Sequence, residues 1–184
     1  MSILKFLGLA GTEARSHSGD GDTTTVRRIV QKLESMDPAR ARFVAAFAFI
    51  LARVANADLD ISEDETRAME DIVKDFGGLD EEQAVLVVQI AKSQNRLFGG
   101  TENFLVTREF RDIATHKQYV ELLHCLFAVA AADDSISTGE EEGIRQVANE
   151  LGLEHREYVE VRAAYSDKRE VIRKLHEQLG RGES

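Results

Sequence analysis

The chain has 184 residues, 43% of them hydrophobic, a formal net charge of −10, one cysteine, one proline and no tryptophan. That length suits one domain with a tail, or two small halves sharing a core, and the acidic balance argues against a nucleic-acid surface, which needs a basic patch. The lone Cys125 excludes a disulfide framework and is compatible with a reducing compartment. Within the apolar run 122–127 it reads as a buried, inert thiol.

Residues 1–10 are apolar but too short for a secretory signal, and Lys5 interrupts them. Residues 11–25 are rich in Gly, Ser, Asp and Thr and lack apolar periodicity, so burial cannot offset the cost of ordering them. Residues 1–25 are therefore expected to form a flexible N-terminal segment, and 26–184 an all-α domain. Ile3, Leu4, Phe6 and Leu7 make a detached apolar tip that could dock on the domain or on a partner, or give weak membrane proximity through residues 3–9.

From Val26 the chain is a succession of helices with legible starts. Val26, Ile29, Val30 and Leu33 have helical spacing. Asp37-Pro38 is a cap followed by Pro at the first helical position. The helix it opens contains the longest uncharged apolar run, residues 43–52, closed by Arg42 and Arg53. That run is about half a membrane span and reads as a core helix of a cytoplasmic protein. Ser62 opens a helix with Met69, Ile72, Val73 and Phe76 at helical spacing, ended by Gly77-Gly78. Asp80 with Gln83 starts a helix apolar almost all round over 84–91, as expected for the middle of a bundle.

Gly99-Gly100 breaks the chain, and a shorter helix follows with Phe104, Leu105, Phe110 and Ile113 as its apolar positions. Thr115 with Gln118 caps a long helix running to Ala132; Ser137 opens the next, with Ile144, Val147 and Leu151, closed by Gly152. Residues 154–165 and 167–179 read as two further amphipathic helices. No segment alternates with period two. The expected architecture is an all-α compact bundle of about seven to nine helices with two pseudo-symmetric helical hairpins.

Those hairpins arise from an internal repeat, with copies at residues 40–76 and 116–151. Ala57-Asp58, Ile61, Glu65 and Met69 recur as Ala132-Asp133, Ile136, Glu140 and Ile144 at a constant offset of 75 (133 − 58 and 140 − 65). A fixed offset means one supersecondary unit used twice. In each copy the Asp ends one helix, the isoleucine plugs the turn into the core, and the Glu lies in the first turn of the next helix. Folding back would bring Asp58 near Glu65 and Asp133 near Glu140.

Two readings of these acids stand side by side. Ser62-Glu63-Asp64-Glu65 and Ser137-Thr138-Gly139-Glu140 both fit the Ser-x-x-Glu capping box, in which the glutamate serves the helix end and needs no metal. Alternatively, hard cations need several oxygen ligands, and carboxylates at a helix–helix corner can supply them. Asp58, Glu65, Asp133 and Glu140 are then the candidate ligands, with Asp60 adding an oxygen in the first copy and Asp134 or Ser135 in the second. An EF-hand is excluded, because Asp58 to Glu65 is too short and the stretch carries no Gly.

The string Ala-Asp-x-x-Ile-x-x-x-Glu-x-x-x-apolar, present twice in an all-helical chain, resembles the tellurite-resistance TerB family, which also includes the N-terminal domain of DjlA-type co-chaperones. The resemblance covers approximately residues 40–165. The family usually has Gly after the Asp, where this chain has Leu59 and Asp134. The resemblance implies a helical domain with internal pseudo-symmetry and a role in cytoplasmic stress or metal-response complexes near the membrane. It also implies a divalent cation (Ca, Mn or Zn) at Asp58, Glu65, Asp133 and Glu140.

No phosphate loop, nucleophile elbow, dinucleotide fingerprint or paired-histidine zinc motif occurs. His17, His116, His124, His155 and His176 are scattered, and His124 reads as half-buried beside Cys125. The expected function is a non-enzymatic binding or scaffold domain with protein partners and no nucleic acid. The alternative is a pure protein-interaction module, co-chaperone-like, whose acids are structural caps. A metal-dependent hydrolase is a third class, and it requires an open coordination position in a cleft.

Overall fold

The computed structural model describes residues 20–55, 62–93, 103–132 and 135–168. They form α1 (Asp20–Ser35), α2 (Pro38–Val54), α3 (Glu63–Gly77), α4 (Glu81–Lys92), α5 (Asn103–Ile113), α6 (His116–Ala130), α7 (Thr138–Leu151) and α8 (His155–Ala163), then a 3-10 turn at Ser166–Lys168. No β-strand occurs among the described residues, so the all-α expectation holds. No helix among them is long and apolar enough to cross a membrane.

The uncharged run becomes the centre of the bundle. Twelve of the 17 residues of α2 are buried, including Val44, Phe47, Ile50 and Leu51. A helix apolar all round must be covered on every side, and α1, α4, α5, α6 and α7 all pack against it. Ala45, Ala46, Ala48 and Ala52 are small enough to bring those neighbours close. Between them the aromatic side chains interlock: Phe110 of α5 lies 5.1 Å from Phe43 and 6.2 Å from Phe47, centroid to centroid. A Cβ on Gly77, at the end of α3, would stand 3.0 Å from Cζ of Phe47, so glycine permits that approach.

The helix boundaries are set locally. Asp37 accepts from the N–H groups of Ala39 and Arg40, with Pro38 first in the helix. Asp80 accepts from Gln83 N–H at 2.8 Å, and Thr115 and Gln118 form a reciprocal box. Gly78 and Gly152 close α3 and α7 in the left-handed region, at φ 63° and 76°. α4 buries Ala84, Leu86, Val87, Val88, Ile90 and Ala91, as its nearly uniform apolarity predicts.

Several expectations are corrected. Residues 20–25 belong to α1 rather than to the linker. Once Ile29 and Leu33 are buried, a helix extends at little further cost per residue. Phe76 is 42% exposed, because Val73 and Gly77 hold the inward line of α3 and Met69, Ile72 and Phe76 form its rim. Phe104 and Leu105 are more than half exposed, since Val106, Thr107 and Phe110 take the inward positions of α5. The first copy is not a packed hairpin: α3 rests chiefly on α4 and on α6 of the other copy, whereas α7 packs on its own α6. The sides of α2 are already taken by α4 and α5, so α3 buries its stripe elsewhere. The helix expected at 154–165 is α8, and the one expected at 167–179 lies almost wholly outside the described residues, as does the apolar tip at 3–9.

One polar connection crosses this apolar interior. Arg53, at the end of α2, donates to both carboxylate oxygens of Glu150 on α7, at 2.8 and 3.0 Å, and to the hydroxyl of Thr107 on α5 at 3.3 Å. The paired side chains are 10% and 13% exposed, and Thr107 is fully buried. Burial pushes the Glu150 carboxyl up, but hydrogen bonds from Arg53 and Thr107 and the Arg53 charge outweigh it, holding it below its ordinary value. Arg53→Ala leaves a largely buried carboxylate without its counter-charge and should cost about 3 kcal/mol in chemical denaturation. Because the folded carboxyl titrates below the unfolded one, its contribution is complete above the unfolded value and is lost as pH falls through the folded one. The stability gap between the wild-type chain and Glu150→Gln should therefore narrow in acid.

Candidate functional site

The two acidic corners begin at the N-termini of α3 and α7 and are built alike. At the first, Ser62 N–H and Ser62 Oγ both donate to Glu65 Oε2 at 2.7 Å, and Glu65 N–H donates to Ser62 Oγ at 3.2 Å. At the second, Ser137 N–H and Oγ donate to Glu140 Oε2 at 2.8 and 2.7 Å, and Glu140 N–H donates to Ser137 Oγ at 3.2 Å. Serine is too short to reach beyond the first turn, and glutamate is long enough to reach back, so the same four-residue string closes the same ring twice. Hydrogen bonds from the Ser62 hydroxyl and then its backbone N–H hold the Glu65 carboxyl below its ordinary value.

Around these caps the corners differ. The first turn of α3 carries Glu63, Asp64 and Glu65, and the Thr66 hydroxyl donates to Ser62 O while accepting from Lys92 Nζ at 3.0 Å. In the second corner Glu141 meets Arg162 of α8 at 3.4 Å. Ile136 is buried at 1% exposure, as expected for a plug in the turn. α2 ends at Val54 and α6 at Ala130, with Ala55 and Ala131 as their C-caps. The aspartates thus follow those helix ends in sequence. Asp58, Asp60, Ile61, Asp133 and Asp134 lie outside the described residues. Of the candidate ligands the structure thus positions Glu65 and Glu140, each with Oε2 engaged in a cap, and the half-buried Ser135.

A family model described as tellurite resistance protein TerB matches residues 43–163, from the first turns of α2 to the end of α8. The chain belongs to the TerB family. No curated protein and no solved structure matches it. Both acidic corners and the whole of α3 to α8 lie inside the TerB match, and α1 lies outside it.

A hard cation takes six to eight oxygens. Among the described residues of this TerB domain, no three His, Cys, Asp or Glu side chains are grouped to hold one. Each described glutamate could therefore offer a cation no more than its own carboxylate.

One grouping was not anticipated from sequence. His116 Nε2 lies 2.5 Å from Glu157 Oε1, beside an open cavity of about 430 Å³ lined by His116, Gly152, Glu154, Arg156, Glu157 and Glu160. Glu157 is held below its ordinary value by the Glu154 N–H and then by His116. The Glu154-x-x-Glu157 spacing was the only signal in the chain, and it marks a helix start. Cys125 is fully buried and its thiol is pushed up to about 12. Burial also lowers His124.

Ser62→Ala and Ser137→Ala should each lower stability by about 1 kcal/mol, read as a drop in melting temperature, with helix content otherwise retained. Cys125 should resist alkylation in the native protein and react stoichiometrically once the chain is unfolded in denaturant.

Proposed function

We propose that this TerB domain is a non-enzymatic binding or scaffold module. Its duplicated acidic corners take a divalent cation (Ca²⁺, Mn²⁺ or Zn²⁺) through Asp58, Asp60, Glu65, Asp133 and Glu140. The observation that carries the reading is the pairing of two capped glutamates of matching geometry, each seven residues after an aspartate, both inside the TerB match. A cap alone accounts for the serine and the glutamate but not for the aspartate. A bound cation would neutralise the local excess of negative charge. The caps keep each glutamate at a fixed place on its helix, so the aspartates are the ligands that must be brought to it. A cytoplasmic stress or metal-response setting with a protein partner follows from the same family reading.

The second reading is a protein-interaction module whose acids are structural, and Oε2 of both glutamates being engaged by serine favours it. Calorimetric titration of chelator-stripped protein with each ion separates the two. Cation binding predicts heat and a raised melting temperature that Asp58→Asn with Asp133→Asn abolishes. Glu65→Gln with Glu140→Gln should weaken binding while retaining much of each cap. No heat and no thermal shift at millimolar ion would sink the cation reading. A partner retained in excess chelator would then support the interaction module.

A further inference from the structure

α1 stands apart from the other helices in how it is attached. Of its residues 24–35, only Ile29 and Leu33 are buried, one turn apart on a single edge. Val26 and Met36 extend that edge as partly buried flanks. The contrast is with α2, similar in length, where burial runs around the whole helix. α1 rests on α2 and α4. Where its last turn meets the start of α4, packing is incomplete: a cavity of about 180 Å³ lies among Lys32, Ser35, Met36, Asp80, Gln83 and Leu86.

The junction with α2 is closed from both sides. Asp37 satisfies the first N–H groups of α2 from within its own segment, at 3.0 and 3.1 Å. The end of α1 is closed by its own atoms, with Ser35 Oγ donating to Lys32 O and Met36 N–H to Leu33 O. Departure of α1 therefore leaves no backbone donor at the α2 terminus without a partner. The TerB match begins at Phe43, so α1 lies outside the matched residues.

We infer that α1 is a detachable strap: it opens as a unit from a body that stays folded, uncovering an apolar seat on α2 and α4 shaped for one amphipathic helix. The occupant of that seat is α1 itself, held chiefly by Ile29 and Leu33 with Val26 and Met36 at its flanks, and its release leaves the Asp37 cap of α2 intact. A short helix with a single apolar edge is marginal in water when it stands alone, so its order depends on the seat. The seat in turn is open to a competing helix only when α1 lifts.

Hydrogen–deuterium exchange of the full-length native protein tests this. Amides of residues 26–35 should show protection factors roughly tenfold or more below those of α2 and α4, because they exchange through local opening. Equal protection in α1 and α2 would overturn the proposal. In a second arm, Ile29→Glu with Leu33→Glu should leave a cooperative thermal transition. That variant should bind a synthetic peptide of residues 20–36 roughly tenfold or more tightly than the wild-type chain, whose own α1 competes for the seat. Loss of the cooperative transition, or a folded variant that does not take up the peptide, would equally overturn it.

Discussion

The architecture depends on the burial of α2. A helix of 17 residues with twelve of them buried has no face to offer water, so the chain must supply neighbours on every side. Fully burying an aromatic or branched aliphatic side chain contributes about 1.5–3 kcal/mol, and α2 carries a run of them. α4 and α5 pack closely on it, α6 and α7 less extensively, and α1 along one edge. Even the ends of other helices answer to it: Gly77 lets α3 finish against Phe47, and Arg53 turns the last exposed corner of α2 into an anchor for α5 and α7.

The acidic corners sit at the N-termini of α3 and α7. Their serines and glutamates do folding work that any helix start requires, and they do it with matching distances in both copies. A carboxylate fixed by a cap is a preorganised oxygen, but one already committed on one side. This is why the same residues are compatible with a structural and a ligating role, and why the aspartates outside the caps decide between them. The two corners are also embedded differently, with Lys92 reaching into one and Arg162 into the other, so a shared cap does not make them equal in charge.

Much of the fold was legible because its signals are local. Asp37-Pro38, Ser62 with Glu65, Asp80 with Gln83, Thr115 with Gln118, Ser137 with Glu140, Gly78 and Gly152 each act within one turn, and each holds the expected place. The burial of Cys125 and the central place of residues 43–52 followed from unbroken apolarity. The failures also share a cause. Phe76, Phe104 and Leu105 have the chemistry of core residues and the spacing of a helix, but which edge of a helix points inward is set by what it packs against. The helical state of residues 20–25 was hidden by polar composition, because their order is borrowed from Ile29 and Leu33 further along.

The sequence by itself determined the class, the helix starts and stops, the repeat with its capped glutamates, and the family to which the chain belongs, because these rest on hydrogen bonds and periodicities spanning a few residues. Tertiary structure alone decided that α3 pairs chiefly with α4 and α6, that Arg53 finds Glu150 across 97 residues of chain, and that α1 buries Ile29 and Leu33 along one edge. Those outcomes are contests for a limited apolar surface and for the few buried polar partners. A contest between segments far apart in sequence is settled only when all of them are present at once.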